Sequence, residues 1–475
     1  MKLNLIRHCF RKVGILFLIF VWSPTQFRAK ESYVEEGIYV DLAKALKNPM
    51  DVRVLELSVD QLTTLPKEIG QLQNLRILKL TDNQLMTLPK EIGQLQNLQK
   101  LDLGFNQLKT LPEEIGELQK LEHLTLYSNR LTTLPKEIGK LQNLRILYLG
   151  FNELKTLPKE IGQLQNLRGL YLDINQLKTL PKKIGQLQNL RELFLGHMQL
   201  KALPKEIGKL QNLKVLDLIG NRFTNLPKEM KQLQKLEYLF LPNIRLKILP
   251  KEIAQLKKLQ TLDLRKNQLK TLPKEIVQLK KLRHLHLSSN QLTNLPKEIG
   301  KLKNLQKLDL DNNQLKTLPK EIGKLQNLQK LHLGENRLTN IPKEIGQLQN
   351  LYGLNLKLNK LTILPKEIGQ LQNMRDLDLS DNQLTTLPSE IGQLKKLHSL
   401  NLSGNSLTSF PKEIGKLQNL KLLRLRGIPD LIPQKEKIRK LVPNAIMDFG
   451  EGPKLKREND SKSSKKKPKS ARKSR

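Results

Sequence analysis

The chain has 475 residues, 38% hydrophobic and 4% aromatic, with 83 Lys and Arg against 45 Asp and Glu for a formal net charge of +38. Its one cysteine, Cys9, excludes a disulfide framework, a thiolate metal site or a cysteine nucleophile anywhere in the rest of the chain. So large a basic excess either favours acidic partners such as nucleic acid, anionic lipid or sulfated polysaccharide, or serves only solubility.

Lys2, Arg7, Arg11 and Lys12 lead into the apolar run Val13 to Trp22 (VGILFLIFVW), and Ser23-Pro24 follows. This is the layout of an export signal, because the run falls well short of the about 20 residues that a membrane-spanning helix needs. A signal peptide is therefore expected over residues 1–29, with cleavage after Ala29; an uncleaved anchor is the alternative. Cys9 precedes the apolar run, which argues against lipoprotein-type acylation. Residues 30–51 read as an N-terminal cap helix, with Val40, Leu42 and Leu46 at helical spacing and Asn48-Pro49 as the stop.

From residue 52 to 427 one sentence repeats. Sixteen prolines, Pro66 to Pro411, recur every 23 residues without a slip. Each unit carries L-x-x-L-x-L-x-x-N-x-L, as in Leu75, Leu78, Leu80, Asn83 and Leu85. The L-x-L alternation has a period of two, so Leu78 and Leu80 face one side of a strand while Ile77 and Lys79 face the other. No unit of this size can bury its apolar face alone, so the units must stack and their strands must form a continuous parallel sheet. Asn83 falls where the chain leaves the strand, and a buried amide there can satisfy backbone groups of two successive turns. Asn holds this position in thirteen of sixteen units; Asp60, Met198 and Ile244 are the exceptions.

The other half, LPKEIGQLQNL, is expected to return along the convex side as a short helical segment, with Pro66 in its first turn and Ile69, Leu72 and Leu75 inward. Gly70 invites a left-handed reading, but Lys231, Ala254 and Val277 replace it in three consecutive units, and a β-branched residue resists positive φ. Close packing is the expected reason for this glycine. The Lys-Glu pair after each proline cancels and reads as a solvated face. Residues 428–452 break the pattern and form a C-terminal cap, with Ile438, Leu441 and Ile446 assigned to a short helix. Residues 453–475 are a basic tail expected to be disordered.

These motifs resemble the leucine-rich repeat proteins, whose units of 20–29 residues each supply one short strand. The LPKEIG half is similar to the bacterial LPX and plant intracellular Ras-group subtypes, and the 23-residue unit resembles the repeat family of spirochaetes of the Leptospira type. The resemblance implies an α/β solenoid: a horseshoe with a parallel sheet on the concave face and short helical or 3-10 segments on the convex face.

A site should lie where the monotony of the concave wall breaks. The residue between the two leucines of L-x-L becomes Tyr148, Tyr171, Phe194 and Phe240 in four of five neighbouring units, with Asp217 between them. Tyr127 and Tyr238 flank this row, as do Phe105 and Phe151, for which tucking against the adjacent turn competes with exposure. Clustered aromatics mark interaction surfaces, although lateral stacking that stiffens the sheet is an alternative. Tyr127, Tyr148, Tyr171, Phe194, Asp217, Tyr238 and Phe240 are the candidate partner-binding residues. Outward strand positions are balanced in charge, so the basic excess falls on the edges, the convex side and the tail.

No catalytic residue is expected. His284-Leu-His286 places two imidazoles on one face as a weak metal pair, with Asp263 and Asp309 as neighbours but no evident third ligand, so no metal site or cofactor is assigned. Some LPX-type repeat proteins carry a ubiquitin-ligase domain with a catalytic cysteine; no cysteine follows Cys9 here. The expected function is an exported, monomeric, non-enzymatic protein-binding scaffold in the periplasm, on the outer surface or secreted. Contact with host cell-surface or matrix proteins is what the spirochaete resemblance implies. The alternatives are a cytoplasmic scaffold of the Ras-group kind and a salt-sensitive binder of glycosaminoglycan or anionic lipid through the convex face and tail. Nucleic acid is not an expected partner of an exported chain.

Overall fold

The computed structural model describes residues 36–223 and 225–450. The expected signal peptide and the basic tail lie outside the described residues. Nineteen strands, β1 to β19 in chain order, form one parallel sheet in which each strand pairs with the next in sequence. From β2 (Val54–Glu56) to β18 (Leu422–Arg424) the register advances by one repeat per strand, with Leu78 opposite Leu101 and Leu101 opposite Leu124. The expected solenoid is therefore the observed one: strands on one wall, 3-10 segments on the other, and a leucine core running between them.

Each strand has only three residues because the chain must turn inward straight after the second leucine. Asn106 shows how that turn is held. Its amide nitrogen donates to the carbonyls of Leu80 (2.9 Å) and Leu103 (3.1 Å), while its oxygen accepts from the Leu85 N–H (3.0 Å). One side chain thus joins two units and pairs three backbone groups that the turn takes away from water. At the exception Ile244, Asn267 accepts from the Ile244 N–H (3.2 Å) in addition to the Leu246 N–H (3.0 Å) that every rung takes from the unit before.

The left-handed residue is not the convex glycine but the one before the ladder position, where glycine stands in only two repeats, at Gly220 and Gly404. In every repeat from Val59 to Gly404 the residue before the ladder position has positive φ, including Phe105 (54°), Ile174 (57°) and Leu358 (52°). Where Asp60 and Ile244 interrupt the ladder, the following residues Gln61 and Arg245 are left-handed too. The stacked turns over-determine this conformation, which bulky and β-branched side chains adopt only at a cost.

On the convex side Pro66 (φ −70°, ψ 155°) leads into the 3-10 segment Lys67–Gln71, and the same five-residue element recurs in every repeat. Its glycine is there for proximity. A Cβ at Gly116 would stand 2.5 Å from the Glu137 carbonyl oxygen of the next unit, and one at Gly93 would stand 2.6 Å from that of Glu114. Neither glycine has positive φ. A second asparagine row, unforeseen from the sequence, runs along this wall: Asn97 donates to the Gln73 carbonyl (2.9 Å) and Asn166 to that of Gln142 (2.9 Å), each one unit back.

At the N-terminal end β1 (Ile38–Tyr39) extends the sheet before helix α1 (Leu42–Lys47), which the Asp41 side chain caps by accepting from the Lys44 N–H (3.1 Å). Val40 precedes that helix and is 71% exposed, so the inward stripe starts later than its spacing suggested. At the other end α2 (Lys435–Leu441) buries Ile438, whereas Ile446 opens β19 and is 73% exposed. A chain reversal with a strand, not a longer helix, closes the stack. No helix among the described residues is long and apolar enough to cross a membrane.

Replacing the exposed, left-handed Ile174 by Asn, which tolerates that conformation, should raise stability by about 1 kcal/mol. A higher denaturant midpoint for Ile174→Asn than for the parent chain checks this.

Candidate functional site

The strands that carry the aromatic row are β6 (Ile146–Tyr148), β7 (Gly169–Tyr171), β8 (Glu192–Phe194), β9 (Val215–Asp217) and β10 (Tyr238–Phe240). Pairing sets Tyr148 beside Tyr171 and Tyr171 beside Phe194. Their rings stack, with centroids 4.4 Å and 5.1 Å apart and interplanar angles of 21° and 18°. The Tyr171 hydroxyl donates to the Glu192 carboxylate. Gly169 makes this possible, since a Cβ there would stand 2.8 Å from the Tyr171 ring. Neither Gly169 nor Glu192 was among the residues expected at the site, yet a glycine inside a three-residue strand was the available signal.

A second cluster lies at the strand exits. Tyr127 packs between Phe105 (5.5 Å, edge-on) and Phe151 (4.9 Å), so these two phenylalanines are held against the turns. Burial and the charge of Asp173 raise the Tyr127 hydroxyl pKa, and that hydroxyl has no hydrogen-bond partner among the described residues. The seven candidate residues are therefore not one patch. Tyr148, Tyr171 and Phe194 form a stack; Tyr127 belongs to the neighbouring cluster; Phe240 and the 37%-exposed Tyr238 stand beyond Asp217. Phe194 is only 7% exposed although it lies outside the leucine core, and the Tyr171 ring covers one of its faces.

Asp217 is 2% exposed, and its chemistry is that of a turn. The N–H two residues beyond each strand's last residue falls outside the ladder and needs an acceptor. Asp102 serves Gly104 (3.0 Å), Asp217 serves Ile219 (2.8 Å), Asp263 serves Arg265 (3.0 Å) and Asp378 serves Ser380 (3.0 Å). Where the strand ends in Phe194 or His332, the acceptor comes from one unit back: Asp173 serves Gly196 (2.8 Å) and Asp311 serves Gly334 (2.6 Å). After Phe240, Pro242 simply lacks the N–H. Much of the acidic lettering on the concave wall is thus structural.

These carboxylates sit in poorly solvated places. Burial pushes Asp173 up to about 6, and burial together with the charges of Asp173 and Asp263 pushes Asp217 up to about 8. Asp263 instead meets Arg265 in a charge-paired fork. Further along, His284 does not pair with His286 around a common point. Its ring centroid is 6.5 Å from that of His286, and its Nδ1 lies 3.2 Å from the Thr261 hydroxyl. His286 faces Asp309 and His332 faces Asp311, a grouping with two carboxylates that the sequence reading did not assemble.

A leucine-rich repeat region model matches residues 41–130, 123–201, 182–243, 228–310, 279–359 and 343–442. Among solved structures, a leucine-rich repeat protein of Leptospira interrogans is 49% identical, covers 87% of this chain and 99% of its own, and superposes with a TM-score of 0.75. The plant peptide hormone receptor RGFR1, solved in complex with RGF2, is 32% identical over 80% of this chain and 67% of its own, with a TM-score of 0.60. PEPR1, solved with AtPEP1, is 26% identical over 87% of this chain and 69% of its own, with a TM-score of 0.61. No curated protein matches the chain.

The raised Asp217 carries a pH signature. In the unfolded chain its carboxyl ionises near about 3.9, whereas the fold favours the neutral form up to about 8. Its stabilising contribution is therefore complete below that lower value and lost as pH rises through the upper one. Asp217→Asn keeps the acceptor for Ile219 and removes the ionisation. The variant should match the parent at pH 4 and exceed it by on the order of 5 kcal/mol at pH 8, as read from denaturant midpoints at the two pH values.

Proposed function

We propose that this chain, which belongs to the leucine-rich repeat family, is a non-enzymatic scaffold that binds a protein or peptide partner on its concave wall. The observation that carries this reading is the stack of Tyr148, Tyr171 and Phe194 on adjacent strands, with Phe240 and Tyr238 two strands further on. Rigid strands hold these rings in place before a partner arrives, so binding would cost little ordering entropy there. Aromatic side chains offer large contact areas with few rotatable bonds and are frequent anchors of binding energy. The peptide-bound relatives RGFR1 with RGF2 and PEPR1 with AtPEP1 support the choice of partner class.

The finer reading is an exported chain that meets host cell-surface or matrix proteins. It rests on the basic and apolar N-terminus and on the likeness to a Leptospira interrogans protein. The net charge of +38 supports a second contact, with polyanions on the edges and convex side. The two contacts respond differently to salt, since a charge-driven one weakens steeply as ions screen it and release is no longer favoured.

The buried Phe194 is left unaltered in the test, and Tyr148, Tyr171 and Phe240 are changed to Ser together. Capture of a matrix or cell-surface protein at high salt should fall by at least about 30-fold, equivalent to one anchor of about 2 kcal/mol, with the circular dichroism spectrum unchanged. Equal capture by the parent and the folded variant would remove the aromatic site. N-terminal sequencing of the mature chain should begin after Ala29; a start at Met1 would refute cleavage.

A further inference from the structure

We propose that the concave wall also carries a binding site for a divalent transition-metal ion of the zinc class, formed by Asp309, Asp311 and His332 with His286 at its side. Three neighbouring strands bring the groups together: β12 (His284–His286), β13 (Lys307–Asp309) and β14 (Lys330–His332). Their register places His286 beside Asp309 and Asp309 beside His332. Asp311 follows on the turn that leaves β13. With strands about 4.8 Å apart, two imidazoles flank one carboxylate and reach a second.

The ligand atoms of Asp309, Asp311 and His332 all lie within 4.8 Å of one another. His332 Nδ1 stands 3.8 Å from Asp311 Oδ2, and His286 Nδ1 stands 3.7 Å from Asp309 Oδ2. Donors that bind a zinc-class ion at about 2.0–2.2 Å are roughly 3.4 Å apart in a tetrahedral site. The two pairs are within about 0.4 Å of that spacing, and the three-residue group exceeds it by about 1.4 Å at most.

The surroundings aim the right atoms at this point. Asp309 Oδ1 accepts from the Asp311 N–H (3.3 Å), and Asp311 Oδ1 accepts from the Gly334 N–H (2.6 Å). Backbone turns thus occupy one oxygen of each carboxylate and leave Oδ2 toward the imidazoles. Ser288 donates to Asp309 Oδ2 (3.2 Å), and the Asn355 amide spans both Asp311 oxygens (3.3 and 3.4 Å). Such outer groups orient metal-binding side chains. The neighbouring Asp263 is neutralised by Arg265, but among the described residues no Lys or Arg pairs with Asp309 or Asp311. The nearby Lys357 is bound to Glu335 (3.2 Å).

Imidazole nitrogen with carboxylate oxygen is the donor mixture of zinc, nickel or cobalt, whereas calcium and magnesium take oxygen throughout. The three side chains are partly exposed, which leaves a position for water or a donor from a bound partner.

The test uses the whole chain, stripped with a chelator and dialysed against Zn²⁺ alone. A single ion should bind, and Asp311→Asn and His332→Gln should each weaken it by about tenfold or more, while His284→Gln leaves it unchanged. Because either variant could also disturb the turn, Co²⁺ added to the unaltered chain provides a second measurement, and the paramagnetic shifts should fall on His286 and His332. Binding that is undiminished in both variants, substoichiometric uptake, or shifts centred on His197 or His284 would overturn the proposal.

Discussion

The amide of the ladder asparagine is the interaction on which the rest depends. A leucine-rich unit buries apolar side chains without difficulty, but it must also reverse its backbone inside the stack, where water cannot satisfy the peptide groups. Asn106 resolves this by donating to carbonyls of two successive units and accepting an N–H from the earlier one. The same atoms fix the spacing between units, so the hydrogen bonds that satisfy the turn also set the strand register. Met198 and Ile244 show that the position can also be apolar, and at Ile244 the next rung, Asn267, accepts one N–H more than usual.

A second backbone requirement shapes the concave wall. The N–H beyond each strand needs an acceptor, and in several units the outward residue of the strand supplies it as Asp or Asn. Two units that place an aromatic ring or imidazole at that position obtain the acceptor from the unit before: Asp173 serves the N–H beyond Phe194, and Asp311 the one beyond His332. Beyond Phe240, Pro242 removes the donor. In these units a ring on the wall is thus matched by a change on a neighbouring turn.

The repeat unit, its parallel stacking and the leucine core were legible in the sequence because they follow from a periodicity that only one arrangement can bury. The reason for the convex glycine was legible too, since Val277 could not share a left-handed backbone. The actual left-handed position was not, because Phe105, Ile174 and Leu358 carry no local preference for it; stacking imposes it from outside. The candidate site was legible as a list of outward residues but not as a set of contacts. Period-two reasoning places Phe194 and Asp217 on the wall, yet it does not show that a stacked ring covers one and a turn occupies the other. Gathering His286, Asp309, Asp311 and His332 required the register of three strands together with the turn after the second.

The convex glycine has one further geometric consequence. Strand spacing fixes the inner circumference of the solenoid, while the outer circumference depends on how closely successive 3-10 segments nest. Where glycine is present the next unit approaches to within a distance that a methyl group would violate. Lys231, Ala254 and Val277 stand in that place in three consecutive repeats, and each carries the Cβ for which such an approach has no room. The stretch that cannot nest by this route lies, along the chain, between the strands of the ring stack and those of the imidazole–carboxylate group.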